Sequence, residues 1–94
     1  MTIRTRPTPN PNSLRFDVEG VTLTEARQLA FHSSREAESH ALASALFRIR
    51  GVESLLIIEN WLTVTKHPAA DWDLITTGVE ATLRDELEGE SRET

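Results

Sequence analysis

Apolar and polar residues alternate in the first part of the chain, and this alternation predicts β-strands. In residues 13–18, Leu14, Phe16 and Val18 fall on one face, and polar or charged side chains fall on the other. A period of two is typical of a strand with one buried face. Residues 3–6 alternate in the same way and predict a shorter strand.

Residues 26–31 allow two interpretations. As a strand, they direct Leu29 and Phe31 inward. Alternatively, a short helix begins near Thr24, because a threonine hydroxyl can cap the first turn of a helix. We expect the strand and keep the helix as the alternative.

The next segment carries the spacing of an amphipathic helix. Ser33 and Glu36 stand three residues apart, as in a capping box, and Gly51 occupies the place of a left-handed C-terminal cap. We predict a helix over residues 35–49. Its inward stripe recurs at helical intervals and consists of Ala37, Ala41, Leu42, Ala45, Leu46 and Ile49.

A β-hairpin is predicted after this helix. Residues 52–58 include an uninterrupted apolar run, and residues 61–66 alternate again. Glu59 and Asn60 between them form a candidate two-residue turn, because Asn tolerates a positive φ angle.

The hairpin also predicts a partly apolar outer face. In its second strand, Leu62 and Val64 share one face, and Trp61, Thr63 and Thr65 share the other. The first strand is apolar on both faces, so one pair of its aliphatic side chains must point outward. The two alternative pairs are Leu55 with Ile57 and Leu56 with Ile58.

A second helix follows the hairpin. Asp71 is suited to cap it, and Asp73 is favourable in its first turn. Trp72 begins the inward stripe, and we interpret it as a core anchor. Gly89 is expected to end the helix. The stripe consists of Trp72, Ile75, Val79, Leu83 and Leu87.

The element order predicts an α+β fold with two layers. Two amphipathic helices are expected on one face of a mainly antiparallel sheet, because each must bury its apolar stripe against another element. We expect one domain over residues 1–88 and a frayed acidic tail over residues 89–94.

Composition narrows the functions that remain open. The net charge is −5, and residues 67–94 hold 8 acidic groups against 2 basic ones. Such a segment repels phosphate backbones and disfavours nucleic-acid binding. No apolar run is long enough to span a membrane, and the start lacks the apolar stretch of a signal peptide. We therefore expect a cytoplasmic protein by default, and the absence of cysteine agrees with this location.

Several runs resemble a known family. Residues 8–16 (TPNPNSLRF) resemble the opening signature of the N-terminal domain of Nfu/NifU-type iron–sulfur cluster scaffold proteins. Residues 42–52 (LASALFRIRGV) and 61–66 (WLTVTK), the latter followed by Asp71 and Trp72, resemble the same family. The matches keep their order and span residues 3–88.

The resemblance implies a link to iron–sulfur cluster assembly, and with it an association with iron at the level of the family. In full-length members a separate C-terminal domain holds the cluster through a Cys-x-x-Cys motif. The resemblance therefore implies a stand-alone copy of the N-terminal domain, with no cofactor of its own. We expect no enzyme activity and an accessory role in which the domain binds a cluster carrier or an apo-client protein. The alternative is a homo-oligomerisation or regulatory module unrelated to clusters, with the apolar outer face as a dimer surface.

Five residues are predicted to contact a partner, namely Asn10, Asn12, Arg15, Trp61 and Thr63. The first two lie in a proline-rich segment, residues 7–12, which is either a rigid recognition loop or a turn that fixes the register of two strands. The other three are expected together on the outer face, where an aromatic side chain beside arginine is typical of interface centres. The three histidines lack a metal-ligand spacing, and no phosphate loop or nucleophile elbow is present.

Overall fold

The computed structural model describes residues 2–24 and 26–88 and contains five strands and two helices within them. In chain order the elements are β1 (Thr2–Pro7), β2 (Ser13–Glu19), β3 (Gln28–Phe31), α1 (Ala41–Phe47), β4 (Val52–Ile58), β5 (Trp61–Lys66) and α2 (Trp72–Glu88).

The five strands form one sheet in the order β1-β2-β5-β4-β3, and every neighbouring pair is antiparallel. The four strands predicted with clear patterns are confirmed, with β4 and β5 at the expected bounds. The α+β class, with an antiparallel sheet and two helices, is confirmed as well.

The segment before β3 decides between the two interpretations left open there. The Thr24 hydroxyl accepts a hydrogen bond from the Ala26 amide at 3.1 Å, which makes a local turn and no helix. The strand starts only at Gln28, with Leu29 half-buried and Phe31 buried. The strand interpretation is confirmed, two residues shorter than the pattern suggested.

One face of the sheet forms the core together with the helices. Leu55 and Ile57 of β4 are buried there, so Leu56 and Ile58 are the pair that points outward. The inward stripe of α2 is confirmed in its central residues, each at most 1% exposed. The fully buried side chains of this core include Phe16, Leu46, Ile57, Leu62, Ile75, Leu83, Val18, Val64 and Val79.

Helix α1 is shorter than predicted and starts later. The Ser33 hydroxyl does accept from the Glu36 amide, at 3.2 Å, yet residues 34–39 form only turns. The helix is capped instead by His40, whose Nδ1 accepts from the Ala43 amide at 3.2 Å. The predicted capping box is therefore a local turn contact, and the true cap lies seven residues beyond Ser33.

The later start changes which alanines of α1 face the core. Ala41, expected inward, is exposed, whereas Ala43 is fully buried. Gly51 has a positive φ of 99° as expected, but it stands beyond the end of the helix at Phe47.

The hairpin turn has the predicted length and a different backbone conformation. Ile58 and Trp61 pair directly across it, so Glu59 and Asn60 form the two-residue connection. No described residue other than glycine has a positive φ, so the conformation expected of Asn60 is wrong. Tertiary bonds hold this turn, since the Asn60 carbonyl accepts from Val18 at 2.9 Å and the Glu59 carbonyl from Leu23 at 2.6 Å.

Helix α2 begins as predicted. The Asp71 carboxylate accepts from the Asp73 amide at 2.8 Å. Trp72 is only half-buried, so its description as a core anchor is only partly correct. Gly89 and the predicted tail lie outside the described residues. No described helix is both long and apolar enough to cross a membrane.

Candidate functional site

The outer face of the sheet, away from the helices, brings together three of the predicted contact residues. Arg15 of β2 lies directly opposite Thr63 of β5, and Asp17 lies opposite Trp61. The Arg15 guanidinium carbon sits 4.1 Å from the centre of the Trp61 ring. This distance is that of a cation–π contact, which fixes both side chains at the centre of the face.

Asp17 orders the arginines around this contact. Its two carboxylate oxygens accept from Arg6 and Arg15, each at 2.6 Å. Its side chain is only 16% exposed, although the Arg6 side chain is 66% exposed. The carboxylate thus neutralises one of the two guanidiniums and leaves the cluster with a net positive charge.

The other half of the outer face is apolar. The strand registers place Leu56 opposite Thr63, Ile58 opposite Trp61, and Ala30 opposite Leu56. Each of these side chains is half-buried or exposed, as expected on the solvent side of a sheet. We call this surface the outer face; it consists of Arg6, Arg15, Asp17, Ala30, Leu56, Ile58, Trp61 and Thr63.

Asn10 and Asn12 are positioned elsewhere. Their loop, residues 8–12, is closed by its own side chains: the Asn10 Oδ1 accepts from the Asn12 amide at 2.9 Å. The single hydroxyl proton of Thr8 is shared between the carbonyls of Asn10 and Ser13, whose oxygens lie 2.9 and 3.0 Å from the Thr8 Oγ1. These are the bonds of an asparagine and threonine turn, and they engage the Asn10 side-chain oxygen within the loop itself.

The loop is fastened to the helix side of the domain by Lys66, a residue that the sequence interpretation did not single out. Lys66 is only 6% exposed. Its Nζ donates to the Asn12 Oδ1 and to the carbonyls of His67 and Pro68, each at 3.3 Å. The same ammonium lies 5.6 Å from the centre of the Trp72 ring.

Trp72 completes this attachment, because its indole nitrogen donates to the Pro11 carbonyl at 3.1 Å. One sequence signal could have indicated Lys66: it continues the inward parity of Leu62 and Val64 along β5. An inward lysine at a strand end requires acceptors, and the neighbouring loop supplies them.

The predicted contact residues therefore divide into two groups. Arg15, Trp61 and Thr63 form one cluster on the outer face. Asn10 and Asn12 belong to the loop held by Lys66 and Trp72 on the helix side.

The histidines have local partners or are exposed. His40 caps α1, and the His67 Nδ1 accepts from the Ala69 amide at 3.0 Å, while His32 is exposed. Within residues 2–24 and 26–88, no group of three or more His, Asp or Glu side chains is arranged to hold a metal ion.

Comparison with known families is decisive for identity. The family model for the scaffold protein Nfu/NifU N terminal matches residues 3–90. The chain belongs to this family. The resemblance inferred from residues 8–16, 42–52 and 61–66 is thus confirmed.

Two curated Nfu/NifU relatives show the extent of the similarity. The human mitochondrial NFU1 iron-sulfur cluster scaffold homolog is 41% identical over 86 residues, covering 90% of this chain and 34% of its own length. A mitochondrial NifU-like protein of Arabidopsis thaliana is 38% identical over 85 residues, covering 90% of this chain and 30% of its own. The chain thus spans about a third of the length of these relatives.

Solved structures agree with the fold. A NifU-like protein of Saccharomyces cerevisiae, known from solution NMR, superimposes with a TM-score of 0.78 at 26% identity, covering 93% of this chain and 78% of its own. A Staphylococcus aureus protein known from a crystal structure gives a TM-score of 0.74 at 21% identity, covering 88% of this chain and 99% of its own. The second likeness shows the fold alone.

The cytoplasmic location expected from the sequence is contradicted by these names. Both curated relatives are named mitochondrial proteins. The expectation failed because it tested for the apolar stretch of a secretory signal, whereas mitochondrial targeting segments are amphipathic and arginine-rich. A cysteine-free composition does not separate the two compartments either.

Proposed function

We propose that this chain is a non-catalytic protein-interaction domain that serves iron–sulfur cluster assembly or delivery by binding a cluster carrier or an apo-client. Its membership of the Nfu/NifU scaffold family supports the connection with clusters. The relatives are named as iron-sulfur cluster scaffolds or NifU-like proteins.

The chemistry of the side chains supports a docking role. Clusters are held by cysteine thiolates, and the sequence contains no cysteine. The thiolates of donor and acceptor must then come from other proteins. The domain contributes by holding one of them at a productive distance, which raises the effective concentration of the reacting groups.

We choose the outer face as the partner-binding surface because of the contact between Arg15 and Trp61. Tryptophan and arginine, together with tyrosine, are enriched among the residues that dominate binding energy. Here they are stacked in advance at 4.1 Å, so a partner does not have to order them. Their neighbours on the outer face are two aliphatic side chains and one hydroxyl, those of Leu56, Ile58 and Thr63.

The experiment measures transfer of a reconstituted cluster from a carrier protein to an apo-client, with and without the domain. We expect the domain to bind one of the two proteins and to accelerate transfer. The variant Trp61→Ser should abolish both effects, since it removes the stacked aromatic ring. Glu86→Gln, an exposed substitution on α2 outside both the outer face and the residues that line the grooves of the helix layer, serves as the matched control and should behave as wild type.

Two results would overturn the proposal. One is the absence of binding and of any rate change with every carrier and client tried. The other is partner binding and cluster transfer by the Trp61→Ser variant at the wild-type level, which would show that the partner does not bind at the outer face.

A homo-oligomerisation module is the second candidate, favoured only by the apolar half of the outer face. Sedimentation equilibrium separates the two functions. A stable dimer that Trp61→Arg dissociates would favour self-association, whereas a monomer at high concentration leaves the face to another protein.

A further inference from the structure

A second surface lies on the helix layer, in a groove between two loops and the start of α2. Its two contiguous depressions have volumes of about 510 and 420 Å³. We call it the loop groove. Both depressions are lined by Arg50, Ala69 and Ala70; the first adds Gly51, Val52, Glu53 and His67, and the second adds Ile49, Asp71, Leu74 and Ile75.

The loop groove is preformed because close packing holds its two walls. A Cβ added to Gly51 would lie 2.7 Å from the Cβ of Ala70, so the two loops approach to backbone distance. Ile49 packs onto Gly78 of α2, where an added Cβ would meet its side chain at 3.3 Å. Because its walls are packed in this way, the groove stays open without a ligand. Most binding sites are likewise formed before the ligand arrives.

Leu74 stands on the rim of the groove and is 74% exposed. Among the described residues, no other large apolar side chain is exposed to this extent. Its neighbour Ile75 belongs to the inward stripe of α2, so Leu74 contributes nothing to the core. A single exposed leucine is ordinary, but this one extends a groove whose two depressions share Ala69 and Ala70 in their lining.

The charges around the groove indicate its occupant. Glu53 and Asp71 line it and are exposed, and Asp73, next to Leu74 in sequence, is exposed as well; Arg50 is the one lysine or arginine in the lining. The whole chain has a net charge of −5. A second copy of this chain would bring a surface of the same sign against it, which disfavours self-association here.

We propose that the loop groove docks a short segment of another protein in which an aliphatic side chain is flanked by lysine or arginine. The aliphatic side chain lies against Leu74 and Ala70, and the basic side chains lie near Asp71 and Asp73. The groove is lined by 11 residues, fewer than the roughly 20–30 residues per partner of a stable interface, so the contact is a weak and exchanging one. The loop groove shares no residue with the outer face, so the domain can hold two proteins at once.

The test titrates the ¹⁵N-labelled full chain with a synthetic helical peptide composed of leucine and lysine. A matched peptide carries glutamate in place of every lysine. We expect the lysine peptide to shift the amides of Arg50, Ala70 and Leu74, and the glutamate peptide to shift none of them. Leu74→Gln should weaken the lysine peptide about tenfold, because it removes the buried contact of one aliphatic side chain.

Matched variants test whether the peptide binds at the loop groove. Asp73→Asn should weaken binding and reduce its salt dependence, whereas Glu38→Gln, an exposed acidic control on another loop, should change neither. Trp61→Ser should leave peptide binding intact even if it abolishes cluster transfer. Shifts spread over α2 that persist in Leu74→Gln, no shifts at all, or a peptide-free dimer that dissociates in Leu74→Gln would each overturn the proposal.

Discussion

Lys66 and Asn12 are joined twice across 54 positions of sequence. The Lys66 amide donates to the Asn12 carbonyl at 2.8 Å, and its ammonium donates to the Asn12 side-chain oxygen at 3.3 Å. The loop that carries the family signature is thereby attached to the end of β5. The ammonium is buried among neutral acceptors, so its burial depends on this loop remaining in place.

Removing the Lys66 ammonium should release the loop. We expect Lys66→Met to lower the free energy of unfolding by about 1–3 kcal/mol, because the Asn12 oxygen and two carbonyls lose their donor. Urea denaturation measures the loss, and amide exchange at Ser13 should quicken.

The control for this prediction is Arg50→Met, which removes an exposed cation and should stay within about 0.5 kcal/mol of wild type. Unchanged stability and unchanged exchange in Lys66→Met would show that the loop is held without the lysine.

Gly51 and Gly20 form a natural matched pair, since both have a positive φ, at 99° and 89°. An alanine at either position must adopt the left-handed region, at a cost of about 1–2 kcal/mol. Only at Gly51 does the added Cβ also collide, 2.7 Å from Ala70. We therefore expect Gly20→Ala to cost about 1 kcal/mol and Gly51→Ala about 2–4 kcal/mol in thermal or urea unfolding. Equal losses would mean that the loops around Ala70 yield freely.

The contact between Arg15 and Trp61 should be measurable as a coupling energy. A double-mutant cycle with Arg15→Gln and Trp61→Leu is expected to give about 0.5–1 kcal/mol in unfolding experiments. The control cycle pairs Trp61→Leu with Arg4→Gln, whose guanidinium lies 3.6 Å from Glu19 instead. The control should be additive within about 0.5 kcal/mol; a coupling of the same size in both cycles would point to a general charge effect.

His40 is expected to determine where α1 begins. His40→Ala should cost about 1 kcal/mol, because the Ala43 amide loses its acceptor. His40→Asn should recover most of this loss, since asparagine is a preferred cap. His32→Ala, at an exposed position, is the control, and Ser33→Ala should cost less than His40→Ala if the helix begins at Ala41. A larger loss for Ser33→Ala would assign the cap to the earlier turn.

The candidate site was predictable only where its residues share a strand pattern. Arg15, Trp61 and Thr63 were expected on one face from their parity alone, and the registers bring them together. The loop asparagines were predicted as contacts from composition. Composition does not show that Thr8 donates to the Asn10 carbonyl and Lys66 to the Asn12 side-chain oxygen. The capping box at Ser33 has the right local spacing, but spacing cannot show that the helix starts at Ala41 instead.

The sequence by itself determined the strands β1, β2, β4 and β5, the two faces of β5 and the central stripe of α2, because a periodic pattern of burial can be read from neighbouring residues. Only the tertiary structure decided which aliphatic pair of β4 faces outward, which residue caps α1 and where the proline-rich loop is attached. Those outcomes depend on contacts between residues as far apart as Pro11 and Trp72, 61 positions in sequence. Local spacing carries no information about such partners, whose geometry exists only once the sheet and helices have packed.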